Sequence, residues 1–186
     1  MKRYIYICQA QIVENNRFAD AGMTPVNIIK VKMKELVLIL DRLRSAHNTG
    51  NIFRIAEALD AGVAACGYTP CPPHPKLEKT AMGTDKTVEW MHFESSAEAV
   101  DYFHSRGYTV LAAEPGGLEA WEMQFTYPLA LVFGNEALGV SADALEKCDG
   151  IVSLPMNGSK ASINVGNAAA AITYAIDAKR RGKLVI

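Results

Sequence analysis

Residues 36–40 read Leu-Val-Leu-Ile-Leu, an unbroken apolar run that ends at Asp41. A strand with one wet face alternates apolar and polar side chains. A strand that is apolar at every position must be covered on both faces, as in the parallel sheet of an α/β domain. Residues 129–133, Leu-Ala-Leu-Val-Phe, have the same character. Around these runs, strand-like and helix-like stretches alternate. Ile52, Phe53, Ile55, Ala56 and Leu59 recur at helical spacing and stop near Gly62. Residues 63–68, 87–93, 108–113 and 151–154 read as further strands. Ser95 and Ser96 can cap a helix running to about Arg106, and Ser141 a short one. A long alanine-rich helix is expected from Ser162 to about Arg181. Residues 69–75, rich in proline, read as a loop, and Glu114-Pro115-Gly116-Gly117 as a turn. The pattern predicts an α/β domain, a mostly parallel sheet with helices on both faces.

The chain has 186 residues, 49% of them apolar and 21% charged, enough for one such domain with a substantial core. It is divided here into an N-terminal extension, residues 1–34, which has no readable pattern, and a domain over 35–186. No stretch approaches the roughly 18 uninterrupted apolar residues of a membrane span. The start lacks the long apolar region of a secretory signal, so a cytoplasmic protein is expected. Cys8, Cys66, Cys71 and Cys148 are then expected as free thiols. Cys66, Cys71 and His74 faintly resemble a metal-ligand spacing, but a fourth ligand and a C-x2-C pair are missing, and no metal is expected.

The net charge of −1 argues against a strongly basic nucleic-acid-binding protein. Local clusters remain: Lys30, Lys32 and Lys34; Arg42 and Arg44; Lys76, Lys79 and Lys86; and Lys179, Arg180, Arg181 and Lys183. Each alone reads as a solvated face, whereas folded together they could form a basic groove. Several chemistries lack their signatures. No G-x-G-x-x-G follows a strand, which weakens a nicotinamide-dependent oxidoreductase. There is also no phosphate-cradling Walker loop, no G-x-S-x-G elbow and no helical histidine pair.

Three motifs carry positive signals. In Asn48-Thr49-Gly50-Asn51-Ile52-Phe53-Arg54, Asn48 can cap a helix, and Arg54 stands on an otherwise apolar one. Arg54 reads either as a surface arginine paired with Glu57 or Asp60, or as a fork for a phosphate. In Gly134-Asn135-Glu136-Ala137-Leu138-Gly139, glycines let backbone approach a ligand at the end of a strand. In Ser162-Ile163-Asn164-Val165-Gly166-Asn167, small residues open the last helix. In an open α/β sheet, loops at strand ends are where ligands bind.

Together and in this order, the motifs resemble the SpoU or TrmH branch of the SPOUT RNA methyltransferases, over about residues 35–182. The resemblance implies a C-terminal deep trefoil knot, a departure from the usual absence of knots. It implies S-adenosylmethionine as cofactor, a homodimer, no metal, and methyl transfer to a ribose 2′-hydroxyl of tRNA or rRNA. Asn48 and Arg54 fall on the family's first motif, Arg54 on its catalytic arginine. Glu136 falls on the acid of the second, and Ser162 and Asn164 on the serine and asparagine of the third. Gly134, Leu154, Met156 and Ile163 match backbone positions around the cofactor, with Ala113 and Glu114 closing the adenine side. Asn135 and Gly139 are carried with that loop. Residues 79–90 look like the family's variable substrate-side segment. Gly166 stands where the family often has Ser, and Ile163 where it has Leu. No separate RNA-binding domain is legible, which leaves recognition to this domain, the dimer groove and the termini; tRNA is favoured over rRNA. The alternative is a non-catalytic RNA-binding protein that retains the fold, against which Arg54, Glu136, Ser162 and Asn164 all speak.

Overall fold

The computed structural model describes residues 34–183. It contains six strands and five helices: β1 (Leu36–Asp41), α1 (Ala46–Ala58), β2 (Gly62–Cys66), α2 (Pro75–Ala81), β3 (Trp90–Phe93), α3 (Ser96–His104), β4 (Thr109–Glu119), β5 (Leu129–Phe133), α4 (Ala142–Leu145), β6 (Gly150–Ser153) and α5 (Val165–Arg180). All strand pairs are parallel, in the order β3-β2-β1-β5-β4-β6. The two apolar runs are therefore neighbours at the centre, Leu36 opposite Leu129 and Leu40 opposite Phe133.

Alternation along those strands divides the core. Leu36, Leu38, Leu40, Leu129, Leu131 and Phe133 point to one face, where Ile52, Phe53 and Ala56 of α1, Leu77 of α2, and Ala169, Ile172 and Ile176 of α5 cover them. Val37, Ile39, Ala130 and Val132 point to the other, beneath Ala99, Val100 and Phe103 of α3 and Ala144 of α4. This is the expected α/β sheet with both faces covered. From β1 the chain winds outward through β2 and β3, then returns to the other half of the sheet. The order reverses between β1 and β5, and in such open sheets ligands bind outside the strands' carboxyl ends.

The structure corrects several local expectations. The α1 N-cap is Ser45, whose hydroxyl accepts from the Asn48 N–H; Asn48 lies inside the first turn, free to use its amide elsewhere. The last helix is capped by Asn164, not Ser162: its Oδ1 accepts from the N–H groups of Gly166 and Asn167 at 2.9 and 3.3 Å. Ser141 begins α4, but its hydroxyl bonds that of Ser96 instead of capping the helix. Residues 114–117 are no terminal turn. β4 continues to Glu119, and its pairing with β6 shifts between Ala113 and Leu118, so the Pro-Gly-Gly sequence makes an irregularity within the strand. The α2 helix and a 3-10 turn (Thr84–Lys86) follow the proline loop. Pro75 suits the first helical turn, and the His74 Nδ1 accepts from the Leu77 N–H.

Except for Lys34, the proposed N-terminal extension and its lysine cluster lie outside the described residues, as does Cys8. Lys34 pairs with Asp60 and Glu89. Among the described residues no helix is long and apolar enough to cross a membrane.

α2 packs on α1 through Gly50. A Cβ there would overlap the Thr80 hydroxyl and come within 2.9 Å of the Ala81 nitrogen. Thr80 Oγ1 also donates to the Ala46 carbonyl at 3.2 Å. Gly50→Ala is expected to destabilise the domain by about 1–3 kcal/mol through overpacking, measured by urea unfolding. An unchanged midpoint would refute this α1–α2 contact.

Candidate active site

A cavity of about 580 Å³ opens at the carboxyl ends of β4, β5 and β6. Its walls are the loop after β5, the bend of β4, the segment after β6 and the start of α5. Ala113, Glu114, Gly134, Asn135, Glu136, Gly139, Leu154, Met156, Ser162, Ile163 and Asn164 all line it. The sequence-derived cofactor residues therefore share one space. Asn48 and Arg54 are not among the lining residues; both stand on α1, and Asn48 is joined to the lining residues Glu136 and Asn164.

The loop over residues 134–139 is closed by its own backbone, with Asn135 and Gly139 exchanging hydrogen bonds at 2.9 Å. Gly134 is required, because a Cβ there would overlap the Gly139 and Val140 backbone. The Glu114 carboxylate accepts from the Val140 N–H at 2.5 Å, joining the β4 bend to this loop. The Asn135 side chain turns away from the cavity. Its Nδ2 donates to the Arg42 carbonyl at 2.6 Å and to the Tyr68 hydroxyl at 2.9 Å, and its Oδ1 accepts from Ala137 and Leu138. With the amide fully engaged, Asn135 offers a ligand only its backbone.

Glu136 reaches the same segment a little further on, just before α1. Its carboxylate accepts from the Arg44 N–H at 3.1 Å, the Ser45 N–H at 3.3 Å and the Asn48 Nδ2 at 2.9 Å. Partial burial alone would push its carboxyl up. The hydrogen bonds from the Arg44 backbone, the Asn48 side chain, its own backbone and the Ser45 backbone outweigh that and hold it below the ordinary glutamate value. Asn48 passes the connection on: its Oδ1 accepts from the Asn164 Nδ2 at 3.1 Å, while Asn164 Oδ1 caps α5. The chain Glu136–Asn48–Asn164 thus joins the β5 loop, the start of α1 and the start of α5.

Two candidate residues stand outside this frame. Arg54 is exposed and makes no side-chain hydrogen bond or ion pair among the described residues. Its expected structural partners are not used: Asp60 is taken by Lys34. Ser162 is exposed at the cavity with an unengaged hydroxyl among the described residues. Apolar groups complete the rim, where Leu138 is 75% and Ile163 46% exposed, open to a flat apolar ligand. The sequence reading missed Asp41. Fully buried at the end of β1, it accepts from the Ser141 N–H at 2.7 Å and from Arg42 Nε at 3.0 Å. An acid directly ending an apolar run was the available signal. Among the described residues no group of three His, Cys, Asp or Glu side chains is arranged to hold a metal ion.

A model of the SpoU rRNA Methylase family matches residues 35–174. The chain belongs to this family. Its SpoU relatives include a 23S rRNA (uridine(2479)-2′-O)-methyltransferase from Streptomyces viridochromogenes, 33% identical over 153 residues. That alignment covers 78% of this chain and 53% of the relative, so the chain spans about half of that relative's length. A tRNA (guanosine(18)-2′-O)-methyltransferase from Thermus thermophilus is 30% identical, with 82% of this chain and 79% of the relative covered. The crystal structure of the SpoU methyltransferase AviRb from Streptomyces viridochromogenes in complex with AdoMet superposes with a TM-score of 0.75 at 30% identity, covering 86% of this chain and 63% of that one.

Glu136 has a depressed folded value, so its contribution to stability is present above the unfolded value, about 4.3, and fades as pH falls through the folded one. Glu136→Gln is expected to lower the melting temperature at neutral pH, with the gap to wild type closing below about pH 4. A gap constant from pH 7 to pH 3 would refute the ionised clamp.

Proposed function

We propose that this chain transfers a methyl group from S-adenosylmethionine to a ribose 2′-hydroxyl of tRNA or rRNA. The observation that carries the reading is the Glu136–Asn48–Asn164 frame, which ties the start of Arg54's helix to a cavity at the carboxyl ends of β4, β5 and β6. The cavity falls within the roughly 300–1,000 Å³ of small-molecule sites. Its apolar Leu154, Met156 and Ile163, its glycine loop and its exposed Ser162 suit a ligand with a flat ring at one end and charge at the other. Leu154, Met156 and Ile163 would hold the adenine side, with Ala113 and Glu114 opposite; the backbone around Gly134, Asn135 and Gly139 would face the rest. When bound, that cofactor supplies an electrophilic methyl group on a sulfonium.

The protein's own contribution is positioning and electrostatics. Glu136 is a poor base, since three donors bind its carboxylate and hold it below its ordinary value. Arg54 brings a fixed positive charge on a planar fork of donors. Its role is to bind the phosphate beside the target ribose and to stabilise charge developing on the 2′-oxygen. Ser162 can hydrogen-bond the ribose. Asn48, Glu136 and Asn164 act through position, keeping α1 and α5 in register.

The reading includes a homodimer with its site near the subunit contact, the C-terminal threading implied by the family resemblance, and work in the cytoplasm where its RNA is found. Support for the threading is that the segment between β6 and α5 forms a wall of the cavity while α5 packs against α1. tRNA is the first substrate to test, given the Thermus relative's name and mutual coverage.

Arg54→Ala is expected to lower methyl transfer to unmodified tRNA or rRNA by about a hundredfold or more, while calorimetric S-adenosylmethionine binding stays within a factor of about two. Arg54→Lys should recover little, lacking the fork. Near-wild-type turnover by Arg54→Ala would remove Arg54 from the mechanism, and wild-type protein that binds no S-adenosylmethionine would remove the proposed function.

A further inference from the structure

Against the 134–139 loop, among residues that do not line the cavity, lies a second polar cluster. Tyr68, just after β2, is 58% exposed, yet its hydroxyl is held by the Asn135 amide at 2.9 Å. The next residue, Thr69, is buried: its hydroxyl donates to the β1–β2 side and accepts from the Leu43 N–H at 3.0 Å. Tyr68 is thereby anchored near the Arg42 carbonyl, on the segment that carries Arg44 two residues further on. Arg44 has an exposed side chain with no ion pair among the described residues, and its N–H binds Glu136. Arg42 adopts a left-handed backbone, φ 54°, unusual for a residue with a side chain. Three contacts impose it: its Nε on Asp41, its carbonyl on Asn135 and its N–H on the Cys66 carbonyl. Backbone strain held this firmly is typical of functional segments.

A large exposed ring with a fixed hydroxyl is ill suited to core packing and well suited to stacking. Proteins that take single-stranded RNA stack its bases on aromatic rings and hold its phosphates with arginine. We propose that Tyr68 is a stacking platform for an unpaired base of the RNA substrate, with Arg44 binding an adjacent phosphate. The inference rests on the RNA methyltransferase reading and adds a specific substrate contact to it. It also supplies local positive charge for RNA in a chain whose net charge is −1.

The test uses the full chain and a fluorescein-labelled single-stranded uridine 20-mer, together with methyl transfer to unmodified tRNA and rRNA. Tyr68→Ala is expected to raise Kd for the 20-mer and KM for the RNA substrate about tenfold, with kcat at saturating RNA, S-adenosylmethionine affinity and melting temperature nearly unchanged. Tyr68→Phe keeps the ring and loses only the hydroxyl, and should bind within about twofold of wild type. Arg44→Ala should weaken binding and reduce its salt dependence. Equal impairment of the Phe and Ala variants would make the residue a structural tether and overturn the proposal, as would a Tyr68→Ala Kd matching wild type. If wild type methylates RNA while Tyr68→Ala matches it in Kd and KM, the platform falls and the methyltransferase stands. If wild type methylates no RNA yet binds the 20-mer through the Tyr68 ring, the enzymatic reading falls and the platform stands.

Discussion

The Glu136 carboxylate connects segments that the sequence holds far apart. It sits one residue beyond a buried asparagine in the loop after the central strand β5, and it binds two N–H groups just before α1 and an amide in its first turn. α1 starts at the end of β1, the strand beside β5, so the carboxylate bridges the place where the sheet reverses its winding. A charged acceptor bonded to backbone donors is stronger than a neutral pair, and here it also organises the donors' own helix. Through Asn48 the same connection reaches Asn164 and the first turn of α5.

This frame limits which residues remain for chemistry. An amide has only a few hydrogen-bonding positions; those of Asn135 are spent inside the protein, while Asn164 gives its oxygen to the α5 cap and one N–H to Asn48. Glu136 is bound and ionised. Arg54 and Ser162 keep unengaged polar groups among the described residues, one on α1 and one at the cavity. On the proposed reading, such a site would accelerate methyl transfer by holding two substrates in place and supplying fixed positive charge, with no strong protein base.

Much of the sheet was legible because burial on both faces leaves a direct mark. The runs at 36–40 and 129–133 lie within the two central strands, and of the Ser95–Ser96 pair read as a helix cap, Ser95 caps α3. The motif loops were placed correctly at strand ends for the same reason. What failed was local competition. Ser45 and Asn48 are both good capping residues, and the sequence alone does not say which one is drawn away by a partner 88 residues distant. Pro-Gly-Gly normally ends a strand, but here β6 keeps pairing with β4 beyond it. The short α2 helix, with few apolar positions, owes its place to Gly50 and Thr80 rather than to its own periodicity.

The loop at 134–139 has two working sides because it has two kinds of group. Its backbone lines the cavity, and its two glycines leave no room for a Cβ, which would meet the Gly139–Val140 backbone at one and the Glu114 carboxylate at the other. The Asn135 amide points the other way and fixes both the strained Arg42 carbonyl and the Tyr68 hydroxyl. Replacing Asn135 by a residue of similar size but fewer bonding positions would leave buried donors or acceptors unpaired on one side and release the ring on the other. A single buried amide therefore supports the wall of the cofactor cavity and the exposed tyrosine together.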